Sequence, residues 1–183
     1  MRLTTERLMM RPWKNEDASS LYEYAKDPKV GPAAGWPIHT SVEYSRHVIK
    51  EYLSGDGIFA VTLKDVDSAI GSVGILRAAN ANFKIGGNDG EIGYWIGVPY
   101  WGQGLIPEAV REITRFGFEE MDLSNLWCGY FDGNEQSKRV QEKCGYRYDR
   151  TEKDKEIALI GEIKTEHITC LTKEQWLERR INK

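Results

Sequence analysis

Residues 91–120 order a strand, a glycine turn and a helix, and this run constrains the chain more than any other part of it. Glu91 to Val98 has strand character, Pro99-Tyr100 interrupts it, and Trp101-Gly102-Gln103-Gly104 forms the turn. A helix is expected from about Ile106 to Glu120, with Ala109, Val110, Ile113, Phe116 and Phe118 on its apolar stripe. The first N–H groups of such a helix are unpaired, and its dipole adds partial positive charge at that end. The two glycines leave no side chain between an anion and the backbone. A glycine pair at a helix start is also a common structural device, so alone it is a weak phosphate cradle. The dinucleotide fingerprint fails for want of a third glycine and an N-terminal position. The nucleoside-triphosphate loop fails because no Gly-Lys-Ser/Thr follows.

The rest of the chain supplies a sheet around this unit. Arg7 to Pro12 is a first strand stopped by proline, and Asn15 caps a helix with its apolar face on Ala18, Leu21, Tyr22 and Ala25. Val30 to Pro37 is loop. Thr40 and Glu43 fit a capping box for a second helix. Ile58 to Leu63 and Ala69 to Leu76 form a hairpin about an Asp65-to-Ser68 turn, and Asn80 to Asn88 is a flexible connection. Leu126 to Phe131 is a strand, and Asn134 to Lys143 a short helix ended by Gly145. Tyr146 to Tyr148 and Glu166 to Leu171 close the sheet, and Lys173 to Arg180 is a terminal helix. This order gives an α/β (α+β) architecture with a mostly antiparallel sheet flanked by helices, in a single domain over residues 1–183.

Composition limits the partners. The net charge of -3 and the absence of a basic cluster argue against nucleic acid, and no apolar run reaches the roughly 20 residues of a membrane span. The N-terminus lacks an apolar signal core, and three cysteines without paired spacing read as buried thiols, so a cytoplasmic protein is expected. None of the three histidines, His39, His47 and His167, has a second ligand at metal-binding spacing, so no metal is expected.

The run Glu91 to Ala109 resembles the central coenzyme-binding motif of the GNAT superfamily of N-acetyltransferases. Trp101-Gly-x-Gly104 followed by Glu108-Ala109 resembles the branch around RimJ and RimL, the ribosomal-protein N-terminal acetyltransferases. Asn134-x-x-Ser137, leading to Lys143-Cys-Gly-Tyr146, is similar to that branch's asparagine-serine helix. Leu3 to Leu8, Arg11-Pro-Trp13 and Glu16-Asp17 are similar to its opening. The likeness covers roughly residues 1–150. It departs at Ile106, where glycine or alanine is usual, at Pro107, which donates no N–H, and at Gln141, where a tyrosine acid is frequent. One phosphate contact is expected to be missing.

The resemblance implies a GNAT-like sheet with a splayed strand at the acyl-CoA site and transfer from acetyl-CoA to a primary amine. Ile96, Gly97, Val98, Gly102, Gln103, Gly104, Leu105, Ile106 and Asn134 then take positions that bind the coenzyme. An N–H near Ile96 to Val98 would polarise the thioester carbonyl. Glu91 matches the family's general base; its bland alternative is a solvent-facing glutamate. Ser137 matches a hydroxyl near the coenzyme sulfur; it can equally bind backbone in a first helical turn. Asn134 is a pantetheine contact, a helix cap, or both. The acceptor, a small amine or a protein N-terminus, is left open, as is a homodimer. Residues 28–40 and 80–90 are expected to select it, and Asp65, Asp67, Asp89 and Glu91 offer charge to a cationic amine. The alternatives are a non-catalytic acetyl-CoA-binding regulatory module and a site for another phosphate compound.

Overall fold

The computed structural model describes residues 1–181. Among these residues eight strands form one sheet: β1 (Leu3–Thr4), β2 (Leu8–Arg11), β3 (Ile58–Leu63), β4 (Val66–Arg77), β5 (Asp89–Ile96), β6 (Asn125–Phe131), β7 (Arg147–Ile157) and β8 (Glu162–Thr172). Five helices accompany them: α1 (Ala18–Ala25), α2 (Val42–Val48), α3 (Leu105–Glu119), α4 (Glu135–Cys144) and α5 (Lys173–Ile181). The strand order is β1-β2-β3-β4-β5-β6-β8-β7, antiparallel throughout except for β5 beside β6. This is the mixed, mostly antiparallel α/β sheet expected.

The helices divide between the two faces. α3 buries Leu105, Ala109, Val110, Ile113, Phe116 and Phe118 against Ile75, Ile92, Ile96 and Leu126. α1 covers the opposite face with Ala18, Leu21 and Ala25, packed with Trp13, Ile49 and Ala60. α3 is long and strongly one-sided, so burial along that stripe holds it on the sheet.

Several boundaries differ from expectation. Lys14, not Asn15, precedes the first helix, which starts with a 3-10 turn over Asn15–Asp17. Ser41, not Thr40, caps α2 by accepting the Tyr44 N–H at 3.0 Å, and a π-helical turn, Ile49–Leu53, continues α2. The β3–β4 hairpin turns on Lys64-Asp65, because Val66 already pairs with Leu63. β5 ends at Ile96, and Val98–Tyr100 is a 3-10 turn. The largest difference is the β7–β8 hairpin, far longer than the two short closing strands expected. Its charged first arm, Arg147 to Ile157, has a largely exposed surface and lacks a clear apolar alternation. Among the described residues no helix is long and apolar enough to cross a membrane.

Candidate active site

β5 and β6 pair only from Asp89↔Asn125 to Glu91↔Trp127 and then part. A cleft of about 950 Å³ opens between them. Strand alternation points the backbone groups of Trp95 and Gly97 at β4, where the Gly97 N–H bonds the Ile70 carbonyl at 2.9 Å. The Gly97 N–H is therefore taken, and the backbone groups facing the gap belong to Tyr94 and Ile96. Trp101 Nε1 donates to the Ile96 carbonyl at 2.9 Å and so ties the glycine turn to the strand end.

The turn itself is held from outside. Gly102 and Gly104 have φ of +74° and +75°, the left-handed region that glycine enters without a Cβ clash. Arg7 donates to the Gln103 carbonyl at 2.9 Å and pairs with Glu108 at 2.7 Å. Burial pushes the Glu108 carboxyl up, but Thr5 and Arg7 outweigh it and hold its pKa below the usual value. The first turn of α3 is closed by the Glu108 N–H donating to the Gly104 carbonyl, so the Leu105 and Ile106 N–H groups lie ahead of that bond. Pro107, third in the helix, would have offered a further free N–H and cannot.

Gly102, Gly104, Leu105, Ile106, Ile96, Asn134, Ser137 and Glu91 all line the cleft. Gly97, Val98 and Gln103 do not. A Cβ on Gly97 would stand 2.5 Å from the Tyr24 ring, so that glycine admits α1 to the sheet. Gln103 is exposed and its amide donates to the Pro99 carbonyl.

Glu91 is 5% exposed. Its two carboxylate oxygens accept the backbone N–H and the Nδ2 of Asn82, the latter at 2.9 Å. Burial raises its pKa; the two Asn82 bonds oppose that rise, Glu166 adds to it and Lys155 subtracts. Glu166 is itself buried and paired with Lys155, and a Cβ on Gly129 would stand 2.2 Å from Glu166 Oε1. A carboxylate with raised proton affinity beside a cleft is suited to accept a proton from an amine. The solvent-facing alternative for Glu91 is thereby removed.

On α4, Asn134 Oδ1 accepts the Ser137 N–H at 3.1 Å, so Asn134 does cap the helix, while its Nδ2 reaches the Ala33 carbonyl. Ser137 Oγ lies 2.8 Å from the Tyr94 hydroxyl, whose pKa burial raises. Gln141 bonds the Gly129 carbonyl through Nε2, and its Oε1 accepts the Thr169 hydroxyl at 2.8 Å. It fastens α4 to β6 and β8. Tyr94, Asn82, Lys155 and Glu166 were not singled out from sequence; the glycine inside β6 was the available sign of a close approach there.

Beyond the sheet the cleft reaches Trp36, Tyr52, Leu53, Ile58 and Trp95. The rings of Trp36 and Trp95 are 5.8 Å apart, edge to face. Of the four acids expected to draw in a cation, only Glu91 is in the lining. Asp67 is bonded to Arg11 and Lys14, Asp89 to Asn125 and Trp127, and Asp65 lies in the hairpin turn. Residues 28–40 contribute Lys29, Val30, Ala33, Ala34, Gly35 and Trp36, while the 80–90 loop contributes Asn82. Among the described residues no group of three or more His, Cys, Asp or Glu is placed to hold a metal ion.

Comparison with known proteins accords with this geometry. The acetyltransferase (GNAT) domain family matches residues 7–147. The N-acetyltransferase YnaD of Bacillus subtilis is 28% identical over 96% of this chain and 99% of its own length. The N-acetyltransferase p20 of Bacillus licheniformis is 33% identical over 68% of this chain and 70% of its own. A crystal structure of a GNAT-family acetyltransferase from Bacillus anthracis superposes with a TM-score of 0.81 at 25% identity, covering 95% of this chain and 99% of that one.

Proposed function

Since this chain belongs to the GNAT acetyltransferase family and is an N-acetyltransferase, we propose that it moves the acetyl group of acetyl-CoA directly to a primary amine, acting as one domain over residues 1–183. The observation that carries this reading is the buried Glu91 carboxylate opening onto the same cleft as the glycine turn and Ser137.

The pyrophosphate sits on the turn from Gly102 to Ile106, and the pantetheine arm adds along β5 through main-chain hydrogen bonds at Tyr94 and Ile96. Asn134 keeps its capping role and fixes the start of α4 beside the arm. At neutral pH an alkyl amine is mostly protonated, with a pKa near 10, so it must lose a proton before attack. Glu91 takes that proton, directly or through a water. The neutral nitrogen then forms its bond to the thioester carbon as the carbon–sulfur bond breaks. The departing thiolate takes a proton from Ser137, and the second proton, shed by the newly acylated nitrogen, returns to the hydrogen-bonded Ser137–Tyr94 pair through water in the cleft, while the first leaves Glu91 for solvent. This pair stands in for the family's tyrosine, the position that Gln141 fills structurally. The non-catalytic alternative, which the departures at Ile106, Pro107 and Gln141 favoured, corresponds to a coenzyme-induced thermal shift without turnover of any amine. The free thiols Cys128, Cys144 and Cys170 suit a reducing compartment such as the cytoplasm.

The test is thiol release from acetyl-CoA across a panel of small amines and N-terminal peptides, in the wild type and Glu91→Gln. Loss of general-base assistance lowers turnover about 10²- to 10⁴-fold, while the acetyl-CoA-induced rise in melting temperature persists. Unchanged turnover in Glu91→Gln removes Glu91 as the base. No thermal shift with acetyl-CoA or CoA removes the coenzyme reading.

A further inference from the structure

β5 alternates Glu91, Gly93 and Trp95 on the sheet face that α1 covers, with Trp95 packed against that cluster. Across the antiparallel ladder stand Leu76, Gly74 and Ser72. The middle rung is thus glycine on both strands, which leaves the floor bare between a carboxylate and an indole. The two glycines differ in cause. A Cβ on Gly74 would come within 3.1 Å of Gly57 and Ile58, which would have to give by a few tenths of an ångström to admit it. A Cβ on Gly93 would meet nothing within 4 Å, although Gly93 lies inside a strand. Glycine weakens a strand interior and often marks a place where a ligand approaches closely. Among the described residues no atom outside the adjoining chain reaches within 4 Å of that Cβ position.

Resting on the function proposed above, we infer that this space seats the acceptor. We also infer that the acceptor is a small primary amine bearing a flat apolar group, its ring beside Trp95 and Trp36 and its nitrogen toward Glu91. Same-face neighbours on a strand are about 7 Å apart, so Gly93 lies midway between the two ends. An amine two or three bonds from a ring bridges that interval. The walls are Leu76, Ile58, Leu53 and Tyr52, which suit an apolar body. Three carboxylates line the cleft. Glu166 is paired with Lys155 and Glu156 is exposed, leaving Glu91 as the buried acid outside any ion pair among the described residues, with Lys155 acting on it only at longer range. A polyamine or a basic peptide would bring several charges to that one acid, whereas an arylalkylamine brings one.

The experiment compares wild type, Gly93→Ala and Gly93→Val with 2-phenylethylamine, tryptamine, spermidine and a serine-initiated peptide. The open space lets both variants fold, which melting curves check. Wild type is expected to prefer the aryl amines by at least about tenfold in kcat/KM, the discrimination that a few apolar contacts give. Gly93→Val should lose about tenfold or more on them, chiefly through KM, with an unchanged acetyl-CoA thermal shift. Preference for spermidine or the peptide overturns the substrate class, as does failure of every aryl amine to react or to shift the melting of the CoA-bound protein. Wild-type kinetics in Gly93→Val overturns the seat. Loss of the acetyl-CoA shift in wild type instead strikes the coenzyme reading beneath it.

Discussion

Asn82→Ala tests the site through a side chain that bonds the base. The wild-type side chain donates Nδ2–H to Glu91 Oε1 at 2.9 Å, while the backbone N–H of residue 82, which the variant keeps, serves the other oxygen. The bond favours the ionised carboxylate, so its removal lets burial raise the Glu91 pKa further. A hydrogen bond to a charged group contributes about 1.5–3 kcal/mol. At 1.36 kcal/mol per factor of ten, that is roughly 10- to 100-fold in the proton affinity of Glu91. The sign follows: Glu91 must be deprotonated to act, so the variant is impaired where protons compete and recovers as pH rises. The assay is kcat/KM for one amine in both enzymes from about pH 5.5 to about pH 9.5, since this constant reports groups of the free enzyme. Ionisation of the amine is common to both enzymes and cancels in their ratio. The wild-type to variant ratio should climb toward roughly 10–100 at the acid end and fall toward one at the alkaline end. A ratio that stays flat across that range refutes Glu91 as the titrating base. A ratio that rises with pH refutes the role given to Asn82.

Ser137→Ala and Tyr94→Phe each remove one hydroxyl of a pair 2.8 Å apart; each should lower kcat, and the double variant should lose less than the product of the two, as members of one network do. Fully multiplicative losses would mean that the hydroxyls act separately. Gly102→Ala places a side chain at φ +74°, a conformation costing about 1–2 kcal/mol; it should melt lower and show a smaller acetyl-CoA-induced thermal shift, and an unaltered shift would move the pyrophosphate elsewhere. Arg11→Met strips the buried Asp17 of the guanidinium that bonds it at 2.7 and 2.8 Å. Breaking a buried pair costs about 3–5 kcal/mol, or roughly 6–20 °C in Tm at this chain length, with part recovered in Arg11→Met/Asp17→Asn; a loss of a degree or two would show the network to be unimportant.

The parts legible in sequence are those encoded within one element. The stripe Ala109, Val110, Ile113 and Phe116 fixes α3 because these residues recur on one helical face, with Phe118 buried off that stripe against Trp176, and Gly102 and Gly104 mark the turn because their backbone excludes most other residues. The β7–β8 hairpin escaped because its pairing, Arg147↔Cys170 to Ile157↔Glu162, is set by a partner strand and not by a repeat of its own. The cap of α2 fell to Ser41 and not Thr40 since both are good caps and tertiary packing chooses the starting turn. The surroundings of Glu91 are the clearest case. Asn82, Lys155 and Glu166 arrive from three separate stretches, one of them a loop expected to be flexible, and no local spacing announces their meeting.

The three rungs that join β5 to β6 have a consequence for how the protein breathes. Among the described residues they are the only ladder between strands β1–β5 and strands β6–β8. Beyond the third rung, at Glu91↔Trp127, the amides of Tyr94 and Ile96 that face the gap lack a strand partner, and solvent can exchange their hydrogens without any unfolding. A pantetheine arm lying there would serve as a missing ninth strand. Amide exchange at the edges of the gap should then slow when coenzyme binds, and the half of the sheet carrying the β7–β8 hairpin should cease to open independently. On that view the coenzyme is also a rivet, and the seam it closes is where the empty protein is softest.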